Sequence, residues 1–80
     1  MKVKDLVSVL SDYEDLFFIF KDGETKTYRR IRNCKDVGEY IKFVEKRKSD
    51  ILYDLSDYVV DIISACDSGK VAIFLKGVMK

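Results

Sequence analysis

Five consecutive apolar residues, Leu16-Phe17-Phe18-Ile19-Phe20, followed at once by Lys21-Asp22-Gly23, constrain this chain more than any other stretch. The run is too short for a stable helix and rich in β formers, so it reads as a strand buried on both faces or nearly so. Asp22-Gly23 then supplies a tight hairpin turn, because glycine adopts positive φ without strain. A return strand follows from Thr25 to Arg32. Its period of two puts Lys26, Tyr28, Arg30 and Arg32 on one face and Thr27, Arg29 and Ile31 on the other. The chain has 80 residues, enough for one domain over 1–80 that buries roughly 60% of its unfolded surface. Its 48% hydrophobic content supplies one core, and 36% charged residues do not carry the signature of disorder.

The remaining elements follow from periodicity. Val3, Leu6, Val7 and Leu10 stand at helical spacing, with Lys4, Asp5, Ser8 and Asp12 opposite them. Asp36 with Glu39 resembles a capping box, and Val37, Tyr40, Ile41 and Val44 make a helical stripe to about Lys48. Gly38 weakens that helix by about 1 kcal/mol relative to alanine. The next segment is ambiguous. Asp50, Asp54, Asp57, Asp61 and Ser64 recur at helical steps, yet Tyr58-Val59-Val60-Asp61-Ile62-Ile63 is dense in β-branched residues. Ile51 to Leu55 reads as a helical turn and Tyr58 to Ala65 as a strand, with one long helix as the alternative. Asp67-Ser68-Gly69 is hairpin chemistry before a strand from Lys70 to Lys76 that alternates Val71, Ile73 and Leu75 with Ala72 and Phe74. The expected order is α-β-β-α-(short α)-β-β, an α+β fold with a four-stranded antiparallel sheet and two main helices.

Charge is segregated along the chain. Lys21 to Lys48 holds ten Lys and Arg against five Asp and Glu, whereas Ser49 to Gly69 holds five Asp and no base. Two contact faces of opposite sign are expected. The basic face is Lys26, Tyr28, Arg30, Arg32, Lys46 and Arg47, where an aromatic beside guanidinium groups suits stacking on single-stranded nucleic acid. The same charges also protect an edge strand from aggregation or meet an acidic protein. A pI near 7.7 disfavours duplex binding. The acidic face is Asp50, Tyr53, Asp54, Asp57, Tyr58 and Asp61, with tyrosines suited to a protein partner. A carboxylate Mg²⁺ site is the weaker reading of those aspartates; a solvated face is favoured, and no metal or cofactor is expected.

The chain has no histidine and no glycine-rich phosphate loop, which points to a protein without catalysis. Cys34 and Cys66 read as reduced, small hydrophobic residues, a disulfide being the alternative. No apolar run is long enough for a membrane span and no signal peptide is evident, so the expected location is the cytoplasm.

The opening Met1 to Leu10, the apolar strand with Asp22-Gly23-Glu24, and the closing series Ile51 to Leu55, Val60-Asp61-Ile62-Ile63, Asp67-Ser68-Gly69 and Val71 to Leu75 resemble small uncharacterised α+β proteins of phages and prophages of Gram-positive bacteria. The basic stretch Arg29 to Lys48 has no counterpart there. The resemblance implies a phage accessory role in the host-cell cytoplasm and carries no catalytic residues. The expected function is binding of a host protein, as an inhibitor of a defence system or enzyme. The alternative is a small nucleic-acid-binding regulator using Tyr28, Arg30 and Arg32. One further expectation concerns self-association. Helices on one side of the sheet would leave Phe17 and Ile19 bare, so either the second helix or a second subunit, in a homodimer, covers them.

Overall fold

The computed structural model describes residues 1–10, 14–30, 33–66 and 69–78, apart from the side chains of Cys66 and Val78. The elements run α1 (Val3–Val7), β1 (Asp15–Ile19), β2 (Thr25–Tyr28), α2 (Val37–Leu55), β3 (Tyr58–Cys66) and β4 (Lys70–Val78). The fold is α+β, with four strands in the spatial order β2-β1-β4-β3. Arg32 and Ile31 of the expected return strand, and Asp67-Ser68 of the second turn, lie outside the described residues.

Both hairpin turns join antiparallel pairs, β1 with β2 and β3 with β4. At the first turn Gly23 has φ of +94°, and the Asp22 carboxylate accepts from the Glu24 amide at 3.0 Å, closing the loop on itself. The two hairpins meet through β1 and β4, which run parallel. The sheet is therefore mixed rather than wholly antiparallel. Parallel neighbours need a long crossover, and the segment containing α2 supplies it. Strand propensities do not reveal which strand docks beside which.

The second difference lies in α2. One uninterrupted helix of 19 residues replaces the expected helix, break and short helical turn. Val44, Arg47, Ile51 and Leu55 share one side at steps of three and four, so the core stripe runs straight through the supposed break. The start has the forward half of the expected capping box: the Glu39 amide donates to Asp36 at 2.8 Å, while the Glu39 carboxylate accepts from the amide of Lys35, one residue before the N-cap, at 3.2 Å. Gly38 leaves room for that cap, since a Cβ there would lie 3.3 Å from Asp36 Oδ1.

A single core joins Val3, Leu6 and Val7 of α1, Ile51 and Leu55 of α2, Leu16 and Phe18 of β1, and Val71, Ile73 and Leu75 of β4. Both helices thus cover the same face of the sheet. Tyr28 packs edge-on against Phe18, and Phe20 against Tyr58, at the margins of this core.

Candidate interaction surfaces

The two charged faces expected from the sequence meet in space. Steps of three and four along α2 bring Phe43, Lys46, Arg47 and Asp50 to the side that faces Thr27, Tyr28 and Arg29 of the β2 segment. Together they line an open groove of about 330 Å³. One helical turn further, Asp54 forms an ion pair with Lys26 and accepts from the Tyr28 hydroxyl at 3.2 Å. Lys26 Nζ also sits 5.6 Å from the centre of the Tyr28 ring. The hydrogen bond to Asp54 raises the pKa of Lys26, and the same bond lowers that of Asp54. Partial burial pushes the Tyr28 phenol up. A basic-face lysine and an acidic-face aspartate thus neutralise each other across the helix–strand seam, which corrects the picture of two separate faces.

Other members of the two faces take different positions. Arg47 is only 6% exposed, and its guanidinium donates to the Glu14 carbonyl, tying α2 to the start of β1. It belongs to the fold as much as to the groove. The Arg30 amide donates to Asp15 Oδ1 at 2.6 Å, and the Arg30 guanidinium passes beside Gly69, so Arg30 closes the start of the β1–β4 pair rather than lining the groove. Arg32 is outside the described residues. On the acidic side, Asp50 and Asp54 lie on α2 with Tyr53, which is 91% exposed. Asp57 follows the helix end, Asp61 stands 3.9 Å from Lys76 on the sheet, and Tyr58 packs against Phe20. Asp50, Tyr53 and Asp54 therefore form one ridge, while Tyr58 and Asp61 belong to a different region. Among the described residues no three His, Cys, Asp or Glu side chains gather as metal ligands.

Sequence reasoning overlooked Phe43 in the groove and the burial of Asp15 and Arg47. The signal for Arg47 was its place four residues before Ile51 on the core stripe, hidden once the helix was broken near Lys48. Cys34 is a free, half-buried thiol, with its pKa raised by desolvation and then by the Glu39 and Asp36 carboxylates. That environment holds it as a thiol at neutral pH. The expectation for Cys66 concerns a side chain outside the described set. No helix among the described residues is long and apolar enough to cross a membrane.

An apolar surface lies on the face of the sheet opposite the helices. Paired residues in neighbouring strands point to the same side. The registers Phe17↔Ala72, Ile19↔Phe74 and Ile62↔Phe74 therefore assemble one apolar band across β1, β4 and β3. Thr25 and Thr27 of β2 flank it. Among the described residues no helix lies over this band. Phe74 remains 38% exposed and Ile62 57% exposed, with Phe17 and Ile19 half-buried. A second apolar surface lies on the amino-terminal half of α2, where Val37 and Ile41 project into solvent beyond the core. No family model matches the chain, and neither the curated proteins nor the solved structures contain a match.

Proposed function

We propose that this protein is a non-enzymatic accessory protein of phage or prophage type that works by binding a host protein, as an inhibitor of a defence system or enzyme. The observation that carries the protein-contact part is the uncovered sheet face with Phe17, Ile19, Phe74 and Ile62. A domain of this size needs most of its apolar side chains for its own core. Large apolar residues left in a contiguous band therefore mark a contact site rather than surplus. Tyr53 on the α2 ridge adds an amphipathic anchor of the kind enriched at interfaces. The phage origin and the class of target rest on the sequence resemblance.

The test is cross-linked capture from host lysate with the wild type, Phe74→Asp and Asp57→Lys, each checked by circular dichroism. The expected result is one specific species that Phe74→Asp loses and Asp57→Lys keeps. Equal capture by Phe74→Asp removes the sheet face as the contact.

The groove favours a second reading, a nucleic-acid-binding regulator, because Arg29 and Lys46 flank Tyr28 and Phe43 there. This moves the alternative from Arg30 and Arg32 to the α2–β2 seam. Gel shifts with single-stranded oligonucleotides across a salt series test it. Binding that weakens steeply with salt and is lost in Lys46→Glu supports it, whereas no shift at low salt ends it.

A further inference from the structure

The two edges of the sheet are built differently. The β2 edge has four residues, and Lys26 and Tyr28 are engaged by Asp54 of α2. A short, charged edge is a poor template for another strand. The β3 edge has nine residues and contains no proline and no lysine. Its first part is already occupied: Val59 bridges Lys2, and the Val60 amide donates to the Met1 carbonyl at 2.8 Å. Tyr58 and Val60 there also pack against the core. Beyond the irregular register between Val60 and Ile62, the strand changes character. Ile62 is 57% exposed on the bare face, and Ile63, paired with the fully buried Ile73, is 47% exposed on the helix-bearing face. The helices therefore do not reach over Ile63, and among the described residues the strand is uncovered on both faces at that point.

Such a segment is completed by a strand, since an edge presents backbone donors and acceptors in a row and apolar side chains above and below. We propose that the Asp61–Ala65 part of β3 pairs antiparallel with the same segment of a second copy, giving an eight-stranded sheet across a two-fold axis. The segment is its own complement. With the axis at Ile63, the two Ile63 side chains lie side by side on the helix-bearing face, and each Ile62 stands across from Ser64 on the bare face. Asp61 falls opposite Ala65, so no like charges meet. A β-branched pair at the axis is a favourable cross-strand contact, and a two-fold operation needs such self-complementarity. The dimer also joins the two bare faces into one wider apolar surface. The inference thereby extends the protein-contact reading above without sharing its residues at Phe74.

The test uses full-length protein in a Cys34→Ser, Cys66→Ser background, carrying Ile63→Cys, with Ile41→Cys on α2 as the control. Under mild copper-phenanthroline oxidation, Ile63→Cys is expected to give a disulfide-linked dimer and Ile41→Cys to stay monomeric. Sedimentation of the protein without added cysteines is expected to show a concentration-dependent dimer that Ile63→Lys converts to monomer with an unchanged circular dichroism spectrum. Wild-type protein that stays monomeric at its highest soluble concentration overturns the proposal, as does equal cross-linking of both cysteine variants. A monomer that still captures a host protein through Phe74 overturns the self-pairing alone. A dimer that captures nothing from lysate defeats the host-binding reading alone.

Discussion

The two faces of the sheet are built from alternate residues of the same strands, yet they do different work. On one face Leu16, Phe18, Val71, Ile73 and Leu75 disappear beneath α1 and α2. On the other, Phe17, Ile19, Phe74 and Ile62 are as apolar, yet among the described residues no helix covers them. Helix α2 repeats the contrast along its length. Its carboxyl-terminal half buries Arg47, Ile51 and Leu55, while Val37 in the first turn is 74% exposed. Hydrophobicity alone thus does not define this core. What separates the core from the bare face is which side of the sheet the two helices reach.

Substitutions at matched positions can break that contrast. The largest effect is expected from Ile51→Ala, which removes a fully enclosed side chain from the core and should cost about 2–5 kcal/mol by urea denaturation. Ile41→Ala, on the exposed half of the same helix, should stay within about 0.5 kcal/mol. Similar losses would mean that the amino-terminal half of α2 is packed. Arg47→Ala should cost about 1.5–3 kcal/mol, because a buried guanidinium and its bond to the Glu14 carbonyl are lost together. Urea midpoints compared with Lys46→Ala, an exposed neighbour, isolate that term. Asp36→Ala should cost about 1 kcal/mol by removing the cap that accepts from the Glu39 amide. A loss of helicity from the start of α2, read by amide exchange, would confirm where the cap acts.

The smallest effect belongs to the exposed Lys26–Asp54 pair, and its sign follows from the two shifts. Asp54 is held below its usual 3.8, so its share is present above that value and is lost as pH falls through the lowered one. Lys26 is held above its usual 10.5, so its share is present below that value and is lost as pH rises through the raised one. At neutral pH both shares are in place. Asp54→Asn should therefore lower the thermal midpoint slightly at pH 7 and converge on the wild type in strong acid. A difference that grows in acid would contradict the assignment. Being exposed, the pair contributes little at any pH.

Much of this fold was legible because its local signals agree. The Leu16–Phe20 run with Asp22-Gly23 gave the first hairpin, Asp36 with Glu39 gave the start of α2, and the β-branched Tyr58–Ile63 segment proved to be a strand. The continuity of α2 was hidden because its apolar stripe was followed only to about Lys48 and the β-branched Tyr58–Ile63 segment made Ile51 to Leu55 read as a separate helical turn. The parallel β1–β4 contact was hidden because it joins residues far apart in sequence, and no local propensity encodes it. The charged sites were harder still. Lys26 and Asp54 are 28 positions apart, so segregation along the chain gave no warning of neutralisation in space. The bare sheet face, in contrast, was foreshadowed by the apolar alternation of Phe17 and Ile19.

Substitution at two adjacent residues of β4 tests the division of labour between the two faces most directly. Ile73 points into the core and Phe74 onto the bare face, so denaturant unfolding of Ile73→Asp and Phe74→Asp compares the faces within a single strand. Ile73→Asp should abolish the cooperative transition, because it buries an unpaired carboxylate. Phe74→Asp should keep that transition, shifted by about 1 kcal/mol or less. Loss of folding in both variants would contradict the account, since it would place the second face in the core as well.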